Sequence, residues 1–189
     1  MAFFYSIPES VLLASLRLSI QSKLGNRNDG SDGNESQQLV GIIGENSIRN
    51  MFSLPLMEKR NEHDGGYDIT IHGKKIDVKT MGRTVNPKLN FVNNFVLSQS
   101  SFNPDAYIFT SINKINLVMT VCGWITSDEM KKNMECFQKG ETRNRSDGSK
   151  FILKADMGEI QNNKLNYNFK NINELDQSIK QWANAEFDW

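Results

Sequence analysis

Tyr67-Asp-Ile-Thr-Ile-His-Gly-Lys-Lys-Ile-Asp-Val-Lys-Thr80 is the stretch on which the fold of this chain turns. On a strand, residues two apart share a face. Ile69 and Ile71 therefore point one way, and Asp68, Thr70 and His72 the other. After a turn at Gly73, Asp77 and Lys79 share a face, and Ile76, Val78 and Thr80 share the opposite one. The apolar face must be buried, which fixes the register of a β-hairpin and gathers two carboxylates and an ammonium on one side of a sheet. Such a set can hold a divalent metal and position a water beside it, which is the chemistry of metal-dependent phosphodiester hydrolysis. A hairpin with one wet, charged face is ordinary in antiparallel sheets. A third acid in a suitable place is what separates the two readings.

Upstream lies Ser36-Gln-Gln-Leu-Val-Gly-Ile-Ile-Gly-Glu-Asn-Ser-Ile-Arg-Asn-Met-Phe52. The spacing of Leu39, Ile42, Ile43, Ile48, Met51 and Phe52 predicts a helix over about residues 36 to 52. Ile42, Glu45, Ile48 and Phe52 fall along one side of it. Glu45 is an acid inside an apolar stripe, where an unpaired carboxylate is costly to bury. A metal or a lysine would offset that cost; so would water, if Glu45 stands at the stripe's edge. Gly41 and Gly44 each weaken the helix by roughly 1 kcal/mol relative to alanine. In exchange they allow close helix–sheet approach, which brings Glu45 near the hairpin.

A glutamate on a first helix, an aspartate on the next strand and Asp77-Val-Lys79 on its hairpin partner resemble the PD-(D/E)XK nuclease superfamily. The resemblance spans about residues 36 to 126. Asp64-Gly-Gly-Tyr-Asp68 followed by Lys75-Ile-Asp-Val-Lys-Thr80 is similar to phage-encoded and restriction-type members. Tyr67 stands where the name-giving proline would be, a position outside the chemistry. The resemblance implies an α/β, restriction-endonuclease-like core of αβββαβ type, a central mixed β-sheet flanked by helices. It implies a nuclease using Mg²⁺, with Mn²⁺ able to substitute, held by Glu45, Asp68, Asp77 and the carbonyl of Val78. Lys79 would orient or help deprotonate the attacking water and offset charge in the transition state. DNA is the expected substrate. The alternatives are an RNA-directed endonuclease and a catalytically inert nucleic-acid-binding module of the same fold. A homodimer is compatible with cutting both strands, since that needs two sites.

With 22 basic against 22 acidic residues among 189, and a pI near 6.7, the chain as a whole does not advertise nucleic-acid binding. A phosphate-tracking surface must then be local. Lys74, Lys75, Arg83 and Lys88 surround the proposed site and are the expected nucleic-acid contacts; a second basic cluster is Lys139, Arg143, Arg145, Lys150 and Lys154. Cys122 and Cys136 match no zinc-ribbon, iron–sulfur or disulfide spacing, which points to a reducing, cytoplasmic setting, the host cytoplasm for a phage-encoded protein. No spanning segment and no signal peptide are expected. The absence of a glycine-rich loop ending in Gly-Lys-Ser/Thr excludes a P-loop nucleotidase.

Around this centre, Ser6-Ile-Pro-Glu9 reads as a capping box opening a helix to about Leu24. The stretch from Gly25 to Glu35 is dense in Gly, Asn, Asp and Ser and reads as a loop, which divides the chain into an N-terminal helical arm over 1–35 and a nuclease-like domain over 36–189. Leu54 to Arg60 is a candidate strand, and Asn86 to Pro104 a loop with a short element, placed as a lid. Ala106 to Ile112 and Asn116 to Trp124 are β-rich runs. Thr126-Ser-Asp-Glu129 is a second capping box, whose helix should end near Gly140. Phe151 to Leu153 and Leu165 to Phe169 are candidate edge strands. Ile172 to Ala185 is an amphipathic helix with Leu175, Ile179 and Trp182 on one stripe. His72 reads as exposed, and His63 as a candidate near the metal.

Overall fold

The computed structural model of the chain describes residues 3–22, 34–58, 66–97, 103–144, 148 and 150–185. In chain order it contains β1 (Phe3–Ser6), α1 (Glu9–Gln21), α2 (Glu35–Met51), β2 (Ile69–Ile71), β3 (Lys74–Arg83), β4 (Val92–Val96) and β5 (Ala106–Asn113). Then follow β6 (Val118–Thr126), α3 (Ser127–Asn133), β7 (Glu135–Phe137), β8 (Thr142–Asn144), β9 (Lys150–Ile152), β10 (Met157–Gln161) and α4 (Ile172–Ala185).

The hairpin forms as its alternation dictates. Ile69 pairs with Ile76, and Ile71 with Lys74, around a two-residue turn at His72 and Gly73. Both turn residues have positive φ, 49° and 77°, the turn geometry that matches strand twist and that glycine adopts without strain. β3 then pairs in parallel with β5, β5 antiparallel with β6, and β6 antiparallel with β1, giving a mixed sheet of order β1-β6-β5-β3-β2.

Each face of this sheet has its own core. On one face, Ile76 and Val78 of β3 and Ile108 and Ile112 of β5 pack against Ile43 and Ile48 of α2 and Leu175 and Ile179 of α4. Val11 of α1 joins the same cluster. Fully burying a side chain of this size contributes about 1.5–3 kcal/mol, so this layer anchors the hairpin. On the other face, Tyr107 and Phe109 meet Phe95 of β4, Ile160 of β10 and Met130 of α3. There a small antiparallel sheet, β4-β10-β7, covers the centre with the short α3. The expected mixed sheet is present, but three of the four helices serve one face and the second sheet serves most of the other.

The stretch read as an N-terminal arm contributes β1 to the central sheet. It also contributes α1, whose Ser15 Oγ accepts from the Asn46 Nδ2 of α2 at 3.1 Å. Leu54–Glu58 carries no strand, β4 lies inside the expected lid, and Leu165–Phe169 supplies only a single bridge, Trp124 to Asn166. α3 starts at its capping box on Thr126 but stops at Asn133, because Glu135–Phe137 pairs with β10 instead. Among the described residues, no helix is long and apolar enough to cross a membrane.

Candidate metal and active site

Asp68 sits one residue ahead of β2. Its N–H donates to the Ile76 carbonyl at 3.0 Å, and its Oδ2 accepts from the Val78 N–H at 2.7 Å. Continued by one residue, the hairpin register sets Asp68 across from Asp77. Asp77 is buried, 6% exposed, and its Oδ2 receives the Lys79 ammonium at 2.8 Å. The alternation read from the sequence thus places Asp77 and Lys79 side by side.

Glu45 reaches the same corner from α2. Its Oε1 accepts from Arg49 Nε at 2.8 Å, one helical turn on. Arg49 also donates to the carbonyl of Asp68 at 2.5 Å, tying α2 to the start of the hairpin. The side chain that compensates Glu45 is therefore an arginine on its own helix, where a metal or a lysine was expected.

The electrostatics follow from this crowding. Burial, then the charge of Asp77, then that of Glu45, push the Asp68 carboxyl well above the ordinary carboxylate range. The Val78 N–H and Lys79 pull the other way without cancelling the effect. For Lys79, burial draws the ammonium down, but the charge and hydrogen bond of Asp77, with smaller help from Asp68 and Tyr107, outweigh it and leave the pKa raised. Lys79 is accordingly a firmly protonated donor. Burial, with Asp77 adding to it, raises the Tyr107 phenol next door.

The donors are carboxylates and a carbonyl, the hard oxygens that Mg²⁺ prefers. In β3 the carbonyls of Lys75 and Arg83 accept from Asp105 and Lys114, the residues that flank β5, both at 2.8 Å. Because peptide groups alternate sides along a strand, those of Val78, Thr80 and Gly82 point away from β5, to the edge where Asp68 stands. The Val78 carbonyl is therefore aimed where a cation beside Asp68 would need it. The buried, crowded Asp68 is a place short of positive charge. Among the described residues, however, no group of three or more His, Cys, Asp or Glu side chains stands close enough to share an ion. Arg49 and Lys79 hold Glu45 and Asp77 in the positions a cation would otherwise claim. The residues suit the metal in kind, with these two cations as its competitors.

The expected nucleic-acid contacts are dispersed. Lys74 lies 5.2 Å over the Trp182 ring, and Lys75 lies 5.3 Å over Tyr67. Arg83 donates to the Val92 carbonyl at 2.5 Å and covers Phe91 at 5.0 Å. Lys88 is exposed in the following loop. His72 pairs with Asp176 of α4 at 2.7 Å, while His63 lies outside the described residues.

A cleft of about 730 Å³ opens beside Lys79, along the outer edge of β3. Its walls come from the start of α2, from Asn94–Val96 and from Phe151–Ala155, with Lys114 and Lys154 among them. Neither Arg49 nor this cleft emerges from the sequence reading. The Glu45/Arg49 spacing of four was the available signal for the first. Nothing local signals the second, because its walls are far apart in the chain. No protein-family model, no curated protein and no solved structure matches this chain.

Proposed function

We propose that the protein is a metal-dependent nuclease acting on DNA, of the restriction-endonuclease-like PD-(D/E)XK kind. The observation that carries the reading is the Lys79–Asp77 pair at 2.8 Å beside the buried Asp68, on which Glu45 of the neighbouring helix also acts electrostatically. Glu45, Asp68, Asp77 and the Val78 carbonyl would hold Mg²⁺ or Mn²⁺, which supplies an activated water and charge neutralisation on the phosphate. Lys79, protonated and fixed by Asp77, donates to the attacking water or to a phosphate oxygen and so offsets the negative charge that develops there. Asp77 sets the Lys79 geometry. The buried floor beneath them, Tyr107 and Phe109, keeps bulk water from screening the charges.

A catalytically inert nucleic-acid-binding module is the second reading, and Arg49 clasping Glu45 is the observation in its favour. An RNA-directed endonuclease is the third. A cleavage assay with single- and double-stranded DNA and RNA, with and without Mg²⁺, separates them. Cleavage of DNA that needs the ion is the expected result. Lys79→Ala should lower it at least about 100-fold while Mn²⁺ binding by calorimetry persists, whereas Asp77→Ala should lose both. Metal-independent cleavage, or full turnover by a folded Lys79→Ala protein, would overturn the proposal.

A further inference from the structure

We propose that the cleft beside β3 is the seat of a single strand of DNA, with Lys114 and Lys154 meeting its phosphates and the wall around Phe151 and Ile152 meeting its bases. The identity of the polyanion rests on the nuclease reading; the shape and chemistry of the cleft stand apart from it.

Charge comes first. The protein is balanced at 22 against 22, yet among the described residues the cleft is lined by three lysines and by no aspartate or glutamate. Lys79 is committed to Asp77. Lys114 and Lys154 are exposed and form no ion pair among the described residues. They come from the β5–β6 turn and from the segment after β9, so the fold, not a local run of sequence, assembles this positive field. A concave surface of one sign concentrates an anion of the other.

Backbone donors come second. β2 pairs with β3 only as far as Ile76, and no other described strand continues on that side. The N–H groups of Thr80 and Gly82 face the cleft by the same alternation that aims the Val78 carbonyl. A peptide adding as a strand would also want this edge, but lysines guarding an edge oppose such pairing. The stem of Lys114 lies close over Gly82, its Cδ 3.4 Å from where a β-carbon on that glycine would stand.

The apolar wall decides between one strand and two. Ile152 is 65% exposed on the rim, and Phe151, Val96 and Met81 are partly exposed beside it. A duplex turns its phosphates outward and would leave this wall against charge. A single strand has unpaired bases whose faces settle on apolar and aromatic side chains while the backbone follows the cations. Lys79 lines the cleft and pairs with Asp77, so a strand lying in the cleft passes a phosphodiester by the reacting corner.

The test is fluorescence anisotropy in EDTA with a labelled oligonucleotide as single-stranded DNA, as duplex and as RNA of the same sequence, over a range of KCl. Wild type should bind the single DNA strand most tightly. Lys114→Ala/Lys154→Ala should weaken that binding at least about tenfold and flatten log K against log salt by about 1.4 units, two single-strand phosphate contacts. Lys164→Ala/Lys170→Ala, which removes the same charge from exposed lysines elsewhere, should bind as wild type. Unchanged affinity in the first variant, equal loss in the second, or duplex or RNA bound at least as tightly as single-stranded DNA would each overturn the proposal. Melting curves of both variants exclude unfolding. Because no metal is present, strand binding without any cleavage in Mg²⁺ would sink the nuclease reading alone. Cleavage by a protein whose cleft variant binds normally would sink the cleft alone.

Discussion

Asp68 is held against its own preference. Buried beside two other carboxylates, it has a folded-state pKa well above the unfolded value of about 3.9, so protonation favours the fold. That contribution is fully present below the unfolded value and is lost as pH rises through the folded one. Above the folded value the charged carboxylate is thus a standing penalty on the metal-free protein. Asp68→Asn keeps an oxygen for the Val78 N–H and removes the charge. It should stabilise the metal-free protein by about 1 kcal/mol at pH 7, with the gap from wild type closing toward pH 4. Thermal melts at several pH values check this; a variant less stable than wild type at pH 7 would refute it. The acids and Lys79 were legible because a period of two settles which side chains share a face. Arg49, the one basic residue of α2 and four residues beyond Glu45, was passed over because the partner of Glu45 was sought in a metal or a lysine.

At the scale of elements, the seam between α2 and β3 positions the site. A β-carbon on Gly44 would stand 1.9 Å from Thr80 Oγ1, itself the acceptor of a 2.9 Å bond from Thr110. Gly41, three residues earlier, has nothing within 4 Å of its own imagined β-carbon. The two glycines the sequence offered as a close-approach pair therefore divide, and only Gly44 makes the approach. Gly44→Ala should lose about 1–2 kcal/mol net, overpacking of up to about 3 against roughly 1 gained in helix propensity. Gly41→Ala should gain about 0.5–1 kcal/mol. Urea midpoints of the two variants moving in the same direction would contradict this. Elements with a strong private pattern were legible: the hairpin, β5, β6 and α4, whose limits match the sequence reading. β10 was not, since Met157–Gln161 is a strand only by virtue of β4 and β7 on either side. The early end of α3 has the same origin in a distant partner.

Taken whole, the molecule is two unequal layers on one mixed sheet, and β1 closes the sheet's far edge. Phe3 meets Phe169 edge-on with ring centres 5.9 Å apart, and the Tyr5 hydroxyl accepts from Asn50 at 2.7 Å. Phe3→Ser/Tyr5→Ser should cost roughly 2 kcal/mol in a denaturant titration. An unchanged midpoint would return this segment to the status of an arm. The sequence hid its role because four residues carry too little periodicity to be told from a helix lead-in, and their partner lies on the far side of the chain. That distance has a consequence for synthesis. Phe3 pairs with Val121, so at about 5–20 residues per second β1 leaves the ribosome on the order of ten seconds before its partner strand exists. During that interval the nascent chain carries an apolar strand with nowhere to dock, and the sheet can close only after the hairpin, the parallel crossover and β6 are all in place.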